Sequence, residues 1–246
     1  MDLKMVGNAM IKLGIAGVCG KMGRRIYELA RQDSEFEIAL ALERRGIPEI
    51  GKDLGKIKIS SSPDGMFLID VFVDFTIPEA SEAHLDYVAQ YKKALVLGTT
   101  GLNEAQVKKV EEVSKLVPVV FSPNMSIGMN TLFRVLPEIA KILGSDYSVE
   151  IVEAHHKMKK DAPSGTAKKL AQVVTDVTHK EIPTHSIRLG DIFGDHTVTF
   201  CGNSERIEIK HQAHTRDLFV VGALRAAKWL ANKPAGLYTM QDVLFK

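Results

Sequence analysis

An α/β fold is predicted for this chain, a Rossmann-like parallel-sheet dinucleotide-binding domain followed by an α+β domain with a mixed or antiparallel sheet. Three observations predict it. Apolar strand-like runs alternate with helical ones over the first half, the first strand runs into a glycine-rich turn, and beyond about residue 126 the alternation gives way to successive strand-like segments. A length of 246 residues accommodates two modest domains. The predicted organisation is a discontinuous first domain, residues 1–126 with 217–246, and a second domain over 127–216.

Residues 11–16 read as a short strand, followed by the turn at 17–23. Met22, Ile26, Leu29 and Ala30 then fall on one face of a helix. Residues 37–42 are almost continuously apolar, as in a parallel strand covered on both faces. The unit repeats: a strand over 68–75, a helix opening at Pro78, a strand over 94–97, a polar helix over 103–115 and a strand over 117–121. In the second half, 127–143 reads as helix and 147–154 as extended, and Ala167, Leu170, Ala171, Val174 and Val177 form a helical stripe. Strand-like segments follow near 186–190, 196–201 and 206–211. Ile207 and Ile209 alternate with charged residues in the manner of a half-buried antiparallel strand, and residues 202–204 suit a hairpin turn. An apolar helix over 223–230 is the last predicted element.

Composition excludes several classes. The chain is 45% hydrophobic and 25% charged, which is ordinary for a globular protein. A net charge of +2 gives no general drive toward nucleic acid or an anionic membrane, and no apolar run is long enough to span one. Two cysteines, Cys19 and Cys201, provide neither a disulfide framework nor a zinc-site spacing, so a reducing, cytoplasmic location and no structural metal are expected. Residues 1–9 carry no signal-peptide pattern; they read as a ragged extension with Met1, Met5 and Met10 as alternative starts.

Gly17, Gly20 and Gly23 recur at every third position between a strand and a helix. Such glycines tighten the turn and admit a phosphate to the backbone, while the helix start supplies N–H donors. Glu43 ends the second strand twenty residues past Gly23, where an acid accepts from ribose hydroxyls. Arg44 and Arg45 follow it and suit a 2′-phosphate. The spacing thus points to a dinucleotide and to tolerance of both NADH and NADPH. Strand ends at 75–76, 98–100 and 122–125 belong to the crevice where an open α/β sheet binds ligand.

The most chemical segment is 153–166. It holds His155, His156 and Lys159, side chains able to exchange a proton near neutral pH when suitably perturbed. Ser164, Gly165 and Thr166 directly precede the helical stripe, so their amides form an anion site. Cations beside a helix start imply an anionic small molecule, most simply a carboxylate. Adjacent histidines with no third ligand do not make a zinc site.

Glu153, His155, His156, Lys159, Asp161, Ala162, Pro163, Ser164, Gly165, Thr166 and Ala167 stand in the unbroken pattern E-x-H-H-x-x-K-x-D-A-P-S-G-T-A. With the 17–23 turn, Asp74-Phe75-Thr76, the 98–101 segment, Arg188, Gly190, Asp191, Gly194, His196, Glu205, Glu208, His211, Ala213 and Arg216, this pattern resembles the 4-hydroxy-tetrahydrodipicolinate reductase (dihydrodipicolinate reductase) family over nearly the whole chain. The resemblance implies NADPH- or NADH-dependent reduction of a cyclic dicarboxylate in the diaminopimelate route to lysine. It implies that Gly17, Val18, Cys19, Gly20, Lys21 and Met22 cradle the pyrophosphate, with Glu43 on the adenosine ribose and Arg44 on the 2′-phosphate. Gly98, Thr99, Thr100, Ser122, Pro123, Asn124 and Met125 would surround the nicotinamide. His155 and Lys159 would be the proton-donating pair, and His156, Gly165 and Thr166 would hold substrate carboxylates. A homotetramer joined through second-domain sheets is also implied. Lys21 departs from the family's usual arginine and loses a planar fork. The stretch from 167 to 186 is shorter than in many bacterial members.

Three rival readings explain less. An NAD-dependent amino-acid dehydrogenase accounts for the 17–43 unit but not for 161–166, and a dinucleotide-sensing regulator needs neither His155 nor Lys159. A nucleic-acid binder rests only on residues 155–160, and the net charge of +2 opposes it.

Overall fold

The protein is described as a computed structural model over residues 10–246, and the alternative starts at Met1 and Met5 lie outside the described residues. The chain divides into two units, one running to Met125 and resuming over Phe219–Lys246, the other Ser126–Leu218.

The first unit opens with β1 (Ile11–Ala16), α1 (Lys21–Ala30) and β2 (Phe36–Leu42), followed by a hairpin of β3 (Asp53–Leu54) and β4 (Ile57–Ser60) and a 3₁₀ turn over Pro63–Leu68. It continues with β5 (Val71–Asp74), α2 (Pro78–Tyr91), β6 (Ala94–Leu97), α3 (Glu104–Ser114) and β7 (Pro118–Phe121). Its strands form one sheet of eight, β12-β7-β6-β5-β1-β2-β4-β3, where β12 (Gly236–Tyr238) arrives from the C-terminal segment. All neighbours pair in parallel except β3 with β4. The order reverses between β1 and β5, the switch point at which such sheets bind ligand at their carboxyl ends. Ile26, Tyr27 and Ala30 of α1 cover one face, with Leu13, Ile15, Val71 and Val73 beneath them. Leu85 and Val88 of α2 and Val110 and Val113 of α3 cover the other, over Leu40, Phe72 and Leu95. The near-continuous apolar strands follow from this double cover.

The second unit contains α4 (Ile127–Leu143), a 3₁₀ turn over Gly144–Asp146, β8 (Ser148–His155), α5 (Gly165–Thr178), β9 (Thr184–Arg188), β10 (Gly194–Cys201) and β11 (Arg206–Ala213). The four strands lie in the order β11-β10-β8-β9, antiparallel except for the parallel β8–β9 pair. Met129, Leu136 and Ala140 of α4 and Leu170 and Val174 of α5 pack with Ile151, Val198 and Phe200 on one face of this mixed sheet. The α/β class with a second mixed-sheet region is as the sequence predicts.

Several boundaries differ. The strand expected over 68–75 starts only at Val71, because Ser62 Oγ accepts from the Asp64 N–H (3.2 Å) and caps a 3₁₀ turn that runs through Leu68. The β3–β4 hairpin went unpredicted; its two strands are too short for an alternation to register. The segment expected at 186–190 is Thr184–Arg188, ending before Gly190, whose φ of +52° breaks the extended run. Ile207 faces the same side as buried Phe200, yet on the edge strand it stays 38% exposed, so only Ile209 meets the half-buried expectation. The apolar helix expected over 223–230 is the end of α6 (Asp217–Leu230), and it is not last: β12 and α7 (Met240–Phe245) follow. A reciprocal cap between Thr239 and Asp242 starts α7, a signature visible in the sequence.

Candidate active site

In the first unit, Gly17 has φ +62° and its N–H donates to Leu42 O (2.8 Å), turning the chain at the end of β1. Gly20 is the N-cap of α1 and supplies no side-chain cap, so the capping role of a serine or aspartate is left open for a ligand. Gly23 is required for packing: a Cβ there would lie 2.1 Å from Gly17 O and 2.9 Å from Val18 Cα. Glu43 reaches over this turn. Its carboxylate accepts from the Cys19 N–H (3.0 Å) and the Arg44 N–H (2.9 Å), which orients it while leaving lone pairs for further donors. Gly17, Val18, Cys19, Gly20, Lys21, Met22, Glu43 and Arg44 line one groove of about 1030 Å³, joined by Phe75, Thr76 and Ile77 from the end of β5. The residues therefore fit a dinucleotide, with a glycine turn that a Cβ at Gly23 would force open and an acid beside an arginine just past the end of the neighbouring strand β2.

Gly98, Thr99, Thr100, Ser122, Pro123, Asn124 and Met125 do not line that groove; they follow β6 and β7, the next strands along the sheet. Thr99 (2% exposed), Ser122 and Met125 are buried. Thr99 Oγ1 instead joins a network around Asp74. That carboxylate accepts from the Thr76 N–H (2.8 Å) and Thr76 Oγ1 (2.6 Å), more distantly from Thr99 Oγ1 (3.4 Å), and pairs with His84 Nδ1 (2.8 Å). Burial raises the Asp74 pKa, but the His84 and Thr76 bonds outweigh it and hold the carboxyl below its usual range. Asp74 thus ties together the ends of β5 and β6. Ser122 Oγ donates to Asn124 O (2.8 Å) and shapes the turn after β7.

In the second unit, the 153–166 segment folds around one buried carboxylate. Glu153 is fully buried on β8 and faces the same side as His155. Its carboxylate pairs with His155 Nδ1, accepts from Arg188 Nη1 (2.9 Å) and Nη2 (2.8 Å), and accepts from the Ser164 N–H (3.2 Å). Burial pushes Glu153 up, but the Arg188 fork, His155, the Ser186 hydroxyl and the Ser164 amide prevail and hold it at about 2. Burial lowers the His155 pKa, helped by the charges of Lys159 and Arg188, against the pull of Glu153. His155 is therefore a neutral imidazole at neutral pH.

Lys159 Nζ pairs with Asp161 Oδ1 (2.8 Å), and its carbonyl accepts from Arg188 Nε (3.2 Å). His156 is half-buried and Gly165 exposed. Ser164 is the N-cap of α5, its Oγ accepting from the Ala167 N–H (3.1 Å). The Ser164 amide, expected among the anion-binding donors, is committed to Glu153. Behind His155 lie two further histidines. His196 packs edge-on against it (centroids 5.2 Å), and His211 lies 6.4 Å beyond. Burial and the neighbouring histidines lower the His196 pKa to about 4. Among the described residues no group of His, Cys, Asp or Glu is arranged to hold a metal.

Sequence reasoning assigned no role to Glu153, Arg188, Asp74 or Gly222. Gly222 in α6 is a packing requirement, since a Cβ there would lie 1.7 Å from Met125 O. A glycine inside the apolar run of α6 is the readable signal of such close approach.

Comparison with known proteins covers almost the entire chain. The family description "Dihydrodipicolinate reductase, N-terminus" matches residues 11–125, and "Dihydrodipicolinate reductase, C-terminus" matches residues 128–244. A 4-hydroxy-tetrahydrodipicolinate reductase of Geotalea uraniireducens is 44% identical, the match covering 96% of this chain and 99% of the relative. One from Citrifermentans bemidjiense is 42% identical with the same coverage. Among solved structures, a dipicolinate-bound dihydrodipicolinate reductase from Paenisporosarcina sp. TG-14 shares the fold, with a TM-score of 0.80, 24% identity and coverage of 95% of this chain and 98% of that one.

Proposed function

Because the chain belongs to the dihydrodipicolinate reductase family, and is thereby an oxidoreductase, we propose that it reduces 4-hydroxy-tetrahydrodipicolinate to tetrahydrodipicolinate, with loss of water and with NADPH or NADH as reductant. The observation that carries this reading is the cluster around Glu153, in which one buried carboxylate draws His155, Arg188 and the start of α5 together next to Lys159. An amino-acid dehydrogenase sharing the first unit has no need of that cluster.

The roles follow from the chemistry of each group. Gly17, Val18, Cys19, Gly20, Lys21 and Met22 hold the pyrophosphate, Glu43 the adenosine ribose and Arg44 the 2′-phosphate. The ends of β6 and β7 face the nicotinamide half through their backbone and through Thr100 and Asn124. His156, Gly165 and Thr166 hold the two carboxylates and so orient the ring. When bound, the reduced nicotinamide supplies the hydride. Loss of water from the hydroxylated ring leaves a conjugated C=C–C=N system. Hydride addition to its terminal carbon pushes an electron pair toward the ring nitrogen, and a proton must follow.

Of the two candidate donors, Lys159 carries that proton. With Glu153 accepting the Nδ1–H, a neutral His155 presents only a lone pair at Nε2 and donates nothing further. Lys159 donates N–H bonds alone, and its positive charge stabilises the developing negative charge before transfer. His155 accepts and orients.

Dual cofactor use is tested at Arg44. Arg44→Ala is expected to raise KM for NADPH far more than for NADH, since only NADPH carries the phosphate that Arg44 would pair. Equal increases for both cofactors would remove the assignment.

We further propose a homotetramer built on the sheet of the second unit. Its helices cover one face, whereas Val152 (37% exposed) and Ile187 (46%) lie on the other among polar residues. Light scattering of the purified chain is expected to give four times the chain mass, and a monomer would refute the proposal. Free Cys19 and Cys201 suit the reducing cytoplasm, and no helix of the described residues is long and apolar enough to cross a membrane.

A further inference from the structure

The two-residue step from Glu153 to His155 along β8 places both side chains on the same face of the sheet, and the β8–β9 register sets Arg188 opposite His155. Arg188 does more than neutralise Glu153. Its Nε donates to Lys159 O (3.2 Å) and its Nη2 to Asp161 O, so the same guanidinium holds the loop that carries Lys159. Glu153 in turn holds the loop's far end through the Ser164 N–H (3.2 Å). One ion pair therefore fixes a histidine ring, a lysine-bearing loop and a helix start.

Joining β8 to β9 needs none of this, because backbone pairing from Ile151 with Thr184 to His155 with Arg188 already does so. Burying the Glu153 carboxylate beside a partly exposed guanidinium carries a desolvation cost, and well-packed apolar residues of like volume often stabilise as well. The pair's distinguishing product is geometry. Nor does Glu153 exchange protons during turnover: held at about 2, it remains a carboxylate throughout the neutral range.

We propose that Glu153 and Arg188 are a positioning pair for the reduction, Glu153 locking His155 as the Nδ1–H tautomer and Arg188 setting the Lys159–Ser164 loop. The kinetic part rests on residues 155–166 being the site of reduction; the tautomer does not.

The test joins spectroscopy to kinetics. Nitrogen-15 NMR of histidine-labelled protein at neutral pH is expected to show His155, assigned by loss of its signals in His155→Gln, as the Nδ1–H tautomer. Glu153→Gln removes the charge at nearly constant volume and is expected to lower kcat roughly 10–100-fold, the scale on which losing the partner that orients a metal-bound histidine acts. Its His155 signals shift toward a tautomer mixture, while the Kd for NADPH stays within about twofold. Should Glu153→Gln fail to fold, Arg188→Lys keeps the charge but lacks the fork. It is expected to raise substrate KM severalfold and lower kcat, with the His155 tautomer preserved.

A merely structural pair would lower Tm in these variants and leave tautomer, kcat and KM alone. That result, or an Nε2–H tautomer in the wild-type protein, overturns the proposal. A wild-type protein that shows the Nδ1–H tautomer but reduces no substrate would instead refute the proposed reaction and leave the locking of His155 standing.

Discussion

Lys159→Ala is expected to lower kcat by roughly 10²–10⁴-fold, the usual contribution of a positioned proton donor. The expectation is this large because the cluster offers no substitute. Neutral His155 has its one N–H pointed at Glu153, and Glu153 itself stays ionised. Lys159 lies outside the 17–43 segment assigned to the dinucleotide, so the Kd for NADPH is expected to be unchanged. His155→Ala should also lower kcat, but by less, since it removes an orienting acceptor and leaves the donor in place. Steady-state kinetics with direct cofactor binding separate these effects. Near-wild-type kcat in both variants would exclude the pair from the chemistry and leave only the first unit in support of the reaction.

Gly23→Ala carries the second large effect. The added methyl would meet Gly17 O at 2.1 Å and Gly17 C at 2.6 Å, both backbone atoms of the same turn, so the turn must open. Two charge-assisted hydrogen bonds to a pyrophosphate are worth about 3–6 kcal/mol. Losing them weakens dinucleotide binding by roughly 10²–10⁴-fold. Fluorescence titration with NADPH measures the loss, and circular dichroism verifies the fold. A folded variant that binds NADPH as tightly as the wild-type protein would show that the 17–23 turn is no phosphate cradle.

How much of this was legible in the sequence depended on whether the cause was local. The strands of the first unit announce themselves because helices cover both faces of the sheet, leaving runs such as Ile38 to Leu42 nearly free of polar residues. The glycine turn is largely local, since Gly17 takes a positive φ and Gly20 and Gly23 approach the Gly17 carbonyl within one loop. The α7 cap at Thr239 and Asp242 is visible in the sequence, but a helix of 6 residues is too short to show a helical periodicity beside it. Glu153 was written in the pattern as an acid, yet its meaning lies in Arg188, 35 positions away, brought alongside only by the parallel β8–β9 pairing. Thr99 depends on distant partners too: it stands at a strand end, and Ser81 and Asp74 draw its hydroxyl inward. Side-chain direction at a strand end is set by tertiary partners that spacing does not reveal.

The most direct test of the central claim follows the hydride itself. Freshly generated 4-hydroxy-tetrahydrodipicolinate is incubated with the purified protein and NADPH deuterated at the transferable position, and the product is analysed by mass spectrometry and NMR. The account predicts tetrahydrodipicolinate with a single deuterium on a non-exchanging ring carbon, formed with NADH as well as NADPH, and its near-absence with Lys159→Ala. Oxidation of the cofactor without deuterium in the product, or no product from folded protein at saturating cofactor, would contradict it.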